Sequence, residues 1–524
     1  MMGLKTKHIF LFSPASFYMI AMMCSMPLHK AQALATFTVR YASVEQDEKR
    51  GFYSQQPQVE VGGNNALTLG EQRQRAFEKV LQLIAFTIDS PIDIKVCPVF
   101  SSFGGSLNSA TLATGAASFY FTDFIGAPVP HILYPSALAD KLANKDLIGE
   151  AGGCDLDVLI NEDVDTPNVL GDIGFYYGFN KAAGFHVDFI SVTLHELSHA
   201  LGFLSLIDYR GAFSIVDSTG QGYADTFSRY LEHHTSSNLM LFEKAEDTIR
   251  AAAMVDESHV HWVGEAGLIA SNNLLQGKQD QHVLIYAPKS YERGSSLSHF
   301  DHTLRPAQLM AAHYLAPQHS LDLGAAVLSD IGWGDLVDLV LTHTVSYADL
   351  IASVKITIKN KGPRDAQHVL FSHYFSEALL LSVKSVNNEP SIMPEACHLS
   401  DEAKEVSCDL GTLKAGEEVS FNIEYSTTQA GFEGLNHFYG VTSKGVDQHA
   451  EDNFSDEGMS HVTSNPSVAA SVTNNTEDNL SFNDHHLSGE VKKAGGGLNH
   501  FFLIILMGYY FLVGFMRGPK KFPD

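Results

Sequence analysis

Two histidines four residues apart, His195 and His199, bracket a glutamate in the run Leu194-His195-Glu196-Leu197-Ser198-His199-Ala200-Leu201-Gly202-Phe203. On an α-helix, residues four apart share one face, so both imidazoles can grip one ion. Imidazole nitrogen suits Zn²⁺, and a catalytic zinc takes three protein ligands and leaves one position for water. Glu196 lies about 100° further round the helix. That is off the ligand face, yet near enough to take a proton from the water. The run therefore reads as a hydrolytic centre with one Zn²⁺ per chain and Glu196 as its general base. Leu194, Leu197 and Leu201 supply a buried face, and Gly202 allows a backbone turn that a Cβ would resist. The bland alternative is an amphipathic helix with two hydrogen-bonded histidines. It is disfavoured because the polar residues are the ones zinc needs.

A third donor is missing from this run. The long form, H-E-x-x-H-x-x-G-x-x-H, would place a histidine at 205, where the chain has Ser205, a poor zinc ligand. Downstream lies Gly294-Ser295-Ser296-Leu297-Ser298-His299-Phe300-Asp301, followed by Gln308-Leu309-Met310. Here the chain resembles leishmanolysin-type metzincin peptidases and their bacterial secreted relatives. In that family a long insertion separates the glycine from the third histidine, and a methionine follows in a tight turn beneath the metal. The resemblance implies His299 as third ligand and Met310, eleven residues on, as a packing residue of that turn. His302 is the next candidate, and His261, His313 and His319 also lie nearby among 25 histidines. The insertion between His199 and His299 reads as mostly loop and helix.

The elements that must position these residues follow from periodicity and capping. Residues 36–335 read as one α+β catalytic domain. The spacing predicts strands at 36–41, 92–100, 117–121 and 156–160. It predicts a helix over 68–86, with Ala76, Phe77, Val80, Leu81 and Ile84 on one face and Thr68 capping. A strand, a helix and more strands before the metal helix is the order the family resemblance implies for a metzincin upper lobe. Phe175-Tyr176-Tyr177-Gly178, then Val187-Asp188-Phe189, leads into that helix and is also similar to the bacterial relatives; Asp188 is the expected N-cap. Helices are expected at 223–233, 246–255 and 320–333, the last ended by Gly332 with Asp322 as cap, and a short strand and turn at 284–288. Tyr314 is the one candidate for stabilising an oxyanion.

Residues 338–455 change character. Short alternating runs at 352–358, 368–372, 419–425 and 438–441 predict an all-β sandwich. The runs at 360–366 and 408–417 resemble the repeated immunoglobulin-like domains of bacterial surface proteins, which implies a spacer or docking module.

The totals bound the function classes. A chain of 524 residues exceeds one core. A net charge of −26 argues against nucleic-acid binding. Of five cysteines, Cys24 falls in a leader, and the rest pair naturally as Cys97 with Cys154 and Cys397 with Cys408. Two such pairs imply an oxidising compartment.

The ends read as targeting segments. Residues 1–35 carry Lys5 and Lys7, an apolar run and a small-residue cleavage site, the pattern of a signal peptide. Residues 456–494, rich in Ser, Asn, Asp and His, read as a mobile linker. Residues 495–524 hold three glycines, a nineteen-residue apolar span at 498–516 and the basic Arg517, Lys520 and Lys521. That order predicts a C-terminal transmembrane helix with a cytoplasmic tail. It resembles the GlyGly-CTERM sorting signal of Gram-negative bacteria. The resemblance implies export by signal peptidase, transient anchoring, cleavage by a rhomboid-like sorting protease, and a product at the cell surface or outside; a permanent anchor is the alternative. The expected activity is a secreted zinc endopeptidase acting on protein or peptide substrates. The competing expectation is an inactive zinc-containing surface adhesin or binding protein.

Overall fold

A computed structural model of the chain describes residues 35–41, 51–149, 153–235, 238–348, 351–375, 378–385, 397–399, 405–427, 437–455, 471–472, 488–493 and 503–506. The expected leader up to residue 34, Cys24, the three glycines and the basic tail lie outside the described residues. Among those described, the chain is α+β, with far more strand than helix.

The expected transmembrane helix is corrected by this structure. Leu503–Leu506, inside the 498–516 span, is a β-strand paired antiparallel with Ser488–Lys493. No helix among the described residues is long and apolar enough to cross a membrane. A continuous apolar run fits a buried strand as well as a helix, and periodicity cannot separate the two; the rest of the span lies outside the described residues. Two parts of the expected linker are also paired. Ser471–Val472 runs beside the strand Phe37–Val39, and Ser488–Lys493 beside Phe119–Thr122.

The first domain is built on a mixed sheet. β1 (Phe37–Val39), β2 (Ile94–Ser101) and β6 (Leu156–Asn161) run parallel, and β3 (Ala113–Ala117) joins β6 antiparallel at the sheet edge. A second sheet contains β4 (Phe119–Thr122) and β5 (Ile132–Pro135). Residues of β2 alternate buried and half-buried along its whole length, the two-residue period of a strand. α1 (Leu69–Thr87) starts where the Thr68 hydroxyl accepts from the Glu71 N–H at 3.3 Å. Its Ala76, Phe77, Val80, Leu81 and Ile84 are fully buried, as the spacing requires. The Cys97–Cys154 disulfide ties β2 to the approach of β6. Closing a span of 57 residues removes about 4 kcal/mol of unfolded-chain entropy in the loop-closure account.

After a short helix α2 (Ser136–Ala143), α3 (Phe189–Ala200) packs on α1, β3 and β6. Phe189 stacks on Phe100 of β2 with ring centroids 6.2 Å apart. Buried Arg73 donates to Asp165 at 2.6 Å and to the Tyr177 hydroxyl at 3.0 Å, locking α1 to the segment that enters α3.

The insertion after α3 differs from the expected loop and helix. It holds a five-stranded antiparallel sheet, β7 (Leu231–Thr235), β8 (Asn238–Leu241), β9 (Val260–Trp262), β10 (Lys278–Gln279) and β11 (His282–Leu284), in the order β8-β7-β9-β11-β10. α4 (Asp247–Ala253) lies within the helix expected there, but 223–233 is not helical. It contains the pair Ala224–Asp225, one 3₁₀ turn at Ser228–Tyr230 and then β7. β7 has partners on both sides, and this tertiary pairing overrides local helical spacing. Further on come α5 (Glu265–Ala270) and α6 (Leu323–Leu328); α6 runs into a wider turn, Ser329–Trp333, where Gly332 has φ +120°. Asp322 occupies the start of α6, but its side chain caps nothing and faces His449 at 3.8 Å.

The second domain is a sandwich of two antiparallel sheets. One has the order β12 (Leu339–Ala348), β13 (Ile351–Asn360), β18 (Glu418–Thr427), β15 (Ala378–Ser385). The other has β16 (Cys397–Leu399), β17 (Glu405–Leu413), β14 (Ala366–Phe375), β19 (His437–Lys444). Val354, Ile356, Ile358 and Ile423 from the first sheet meet Val369, Phe371, Tyr439 and Val441 from the second, all fully buried. Cys397 lies directly opposite Cys408 and is bridged to it. The sandwich keeps its own core but sends Phe438 into that of the first domain. Phe86 of α1 packs on Phe438 and Phe454, with centroids 6.1 and 4.7 Å away, and Leu336–Val337 pairs with Val446–Asp447.

Candidate metal centre

The site is assembled from α3, the loop around His299 and the turn that carries Met310. α3 is fixed at its start by Asp188, whose carboxylate accepts from the Ser191 N–H at 2.8 Å. His319 Nε2 reaches the same carboxylate at 2.9 Å. The Tyr314 hydroxyl accepts from the Asp188 N–H at 3.1 Å, so Tyr314 braces the helix start and keeps its own proton to donate. At the other end Gly202 has φ +118° and turns the chain away; a Cβ there would meet Ile331 Cδ1 at 2.8 Å and Pro135 Cγ at 3.0 Å.

The loop bearing His299 is held by main-chain pairing. The Tyr286 N–H donates to the His299 carbonyl and the Leu297 N–H to the Tyr286 carbonyl, both at 2.9 Å. The Phe300 N–H donates to the Met310 carbonyl at 2.9 Å, and a tight turn closes from Ala311 N–H to the Gln308 carbonyl at 3.1 Å. Met310 is fully buried at the corner of that turn. Ser205 bonds to Ser228 through its hydroxyl at 2.8 Å and takes no part in the centre.

These elements bring His195, His199 and His299 together. Their Nε2 atoms lie 3.0 Å apart for His195 and His199, and 3.2 Å for each of the pairs with His299. Each Nδ1 meets a main-chain carbonyl: Leu309 at 2.8 Å, Phe203 at 2.6 Å and Ser295 at 2.9 Å respectively. A carbonyl only accepts, so each Nδ1 carries the proton and each Nε2 is left bare. Three lone pairs at this separation repel unless a cation sits among them. A point about 1.9 Å from all three completes a tetrahedron on these edges, close to the about 2.0–2.1 Å of a zinc–imidazole bond. The donor set therefore fits a divalent ion, and these three residues form a group that could hold one.

Electrostatics agree with that geometry. Burial lowers the pKa of all three imidazoles. For His199 the neighbouring His195 and His299 add to the effect, and His299 falls to about 3 through burial and then His195. The rings are thus neutral, the form that binds metal. Burial also pushes the Glu196 carboxyl up to about 8, against the opposing pull of the Gly115 backbone. β3 crosses α3 so closely at this point that a Cβ on Gly115 would lie 2.0 Å from the Glu196 carbonyl oxygen.

The other candidate histidines add no nitrogen to this group, although His313 is near enough to His299 to lower its pKa. His302 is exposed and sits 3.6 Å from Asp301. His313 is exposed, His319 serves Asp188, and His261 belongs to β9. Two features escaped the sequence reading. The three carbonyl acceptors are main-chain groups that no side-chain letter marks. Gly115 sits in the run Ala113-Thr114-Gly115-Ala116-Ala117, where a lone glycine inside a strand is a signal of close backbone approach.

No family model matches this chain, and no curated protein does. Among solved structures, similarity is found to an archaeal chitinase in its ligand-free form, at 15% identity over 17% of this chain and 19% of the chitinase, with a TM-score of 0.15. The chitin-binding domain of a hyperthermophilic chitinase from Pyrococcus furiosus matches at 10% identity, over 21% of this chain and 95% of that domain, TM-score 0.15. A collagen-binding domain from a Staphylococcus aureus adhesin matches at 8% identity, over 21% and 91% of the two chains, TM-score 0.16. Likeness at this level carries no argument about fold or function.

Proposed function

We propose that the chain is a zinc-dependent endopeptidase of the leishmanolysin-like kind that its motif residues resemble. The observation that carries the reading is the convergence of three bare Nε2 atoms, with the buried Glu196 next in the chain to His195. His195, His199 and His299 hold the ion, and their Nδ1–H···O=C bonds fix the ring orientation. Bound zinc supplies Lewis acidity toward a carbonyl oxygen and a water. The charge of a bound cation would draw the Glu196 carboxyl down from the raised value it has without one, so that as a carboxylate it would take the proton from that water and return it to the leaving amine. Met310 packs within the turn whose Leu309 carbonyl orients His195. β3 borders Glu196 at the edge of its sheet, where an extended substrate backbone can add as a further strand. That supports a peptide rather than a small molecule as substrate.

Two disulfides support export to an oxidising compartment, as does the sequence pattern of residues 1–35. Release at the cell surface or outside a Gram-negative cell belongs to the same proposal.

The test is casein cleavage by the purified, zinc-loaded chain, with and without chelator. Glu196→Gln keeps its zinc and loses about 10²–10⁴-fold in turnover on this account. Wild-type cleavage that persists in excess chelator, or an active Glu196→Gln, would sink it. A zinc-loaded wild type that cleaves nothing would favour the inactive adhesin.

A further inference from the structure

A second group of metal-ligating side chains lies on the insertion sheet, away from α3. Glu232 and His234 alternate on β7, so both face the same side. His261 of β9 is directly opposite Glu232, and Leu284 of β11 is directly opposite His261. Two residues before Leu284, His282 shares that side as well. The rings gather there: His234 and His261 have centroids 4.0 Å apart, His234 and His282 5.3 Å, His261 and His282 6.3 Å. One ligand atom each from Glu232, His234 and His282 lies within 4.8 Å of the others.

Hydrogen bonding does not account for this cluster. His234 Nε2 pairs with the Glu232 carboxylate. His261 is fully buried, and neither of its ring nitrogens has a hydrogen-bond partner at normal geometry, although the Gln279 side chain bears on it. His282 Nδ1 is buried and unpartnered too. Polar nitrogens buried without partners are costly, so the unpartnered nitrogens of His261 and His282 beside Glu232 and His234 point to a missing partner.

We propose that Glu232, His234 and His282 bind a second divalent transition-metal ion, with the His261 ring packed against His234 beside it. One carboxylate and two imidazoles suit the borderline-soft first-row ions, zinc among them. The ion serves as a structural clip. β7 and β11 are not neighbours; both pair with β9, and the ion bridges them across it. β11 continues into Ile285 and Tyr286, which pair with Phe300 and His299. The clip therefore braces the strand that positions the third ligand of the first centre. This assignment stands on its own ligands and does not depend on proteolytic activity.

The test is zinc stoichiometry of the full chain after loading and gel filtration. Wild type and Glu196→Gln should each carry two zinc ions. His282→Ala, Glu232→Gln and His199→Ala should each carry one, and the His199→Ala/His282→Ala double variant none. If His282→Ala does not fold, Glu232→Gln decides, because it keeps the side-chain volume: one zinc supports the clip and two overturns it. A single zinc in wild type, retained in both Glu232→Gln and His282→Ala, also overturns it. A failure of the first centre would appear separately, as a stoichiometry unchanged by His199→Ala.

Discussion

Each of the three imidazoles commits its Nδ1 proton to a carbonyl, and this decides where its lone pair points. Geometry of that kind discriminates between histidines that composition cannot. His299→Ala removes one of three bare nitrogens and should cost the site its ion, read as lost zinc in the presence of an intact second group. His302→Ala, on an exposed ring, should leave zinc and turnover within twofold of wild type. Loss of metal from His302→Ala but not from His299→Ala would contradict the assignment. At this scale the sequence was highly informative about side chains. His195, Glu196 and His199 follow from helical spacing alone, and His299 from family likeness. The acceptors that orient them were illegible, because a carbonyl at Leu309, Phe203 or Ser295 has no residue type that announces it.

The closeness of β3 to α3 is a property of elements. Gly115 lets two backbones meet where any Cβ would overlap the Glu196 carbonyl. Gly115→Ala should therefore destabilise the fold by about 1–3 kcal/mol through overpacking and lower activity by moving Glu196. Denaturant unfolding and casein turnover check both effects; a variant equal to wild type in both would show that β3 does not hold the helix. Elements with strong one-sided spacing, such as α1 and its Thr68 cap, were legible. The stretch 223–233 was not, since β7 takes its form from partners on both sides that no local window contains. The apolar run near the C-terminus failed for a related reason: Leu503–Leu506 is a strand because Ser488–Lys493 pairs with it.

At the scale of the molecule, the sandwich and the first domain are welded by aromatic packing and by a charged junction. His449 lies 3.2 Å from Asp338 and 3.8 Å from Asp322. Its pKa is raised to about 9, chiefly by the hydrogen bond to Asp338. Its contribution is complete below the unfolded value of 6.5 and is lost as pH rises through 9. Asp447 beside it is raised to about 8 by burial, so folding favours its protonated form and weakens as pH climbs from 3.8 through 8. Both signs agree: the melting temperature should fall between pH 6.5 and 9, and His449→Ala should flatten that slope. A slope of opposite sign, or one unchanged in His449→Ala, would exclude the junction as its source. The strands of the sandwich were legible from the alternating runs that begin after residue 338. The packing between the two domains was not, because Phe86 and Phe454 are far apart in the chain and meet only after folding.

The claim beneath all of this is that one ion sits among His195, His199 and His299. Anomalous scattering measured across the zinc absorption edge from crystals of the zinc-loaded chain tests it most directly. The account predicts a strong peak about 2.0–2.1 Å from the Nε2 atoms of those three residues. Well-ordered imidazoles at that place with no peak between them would contradict it.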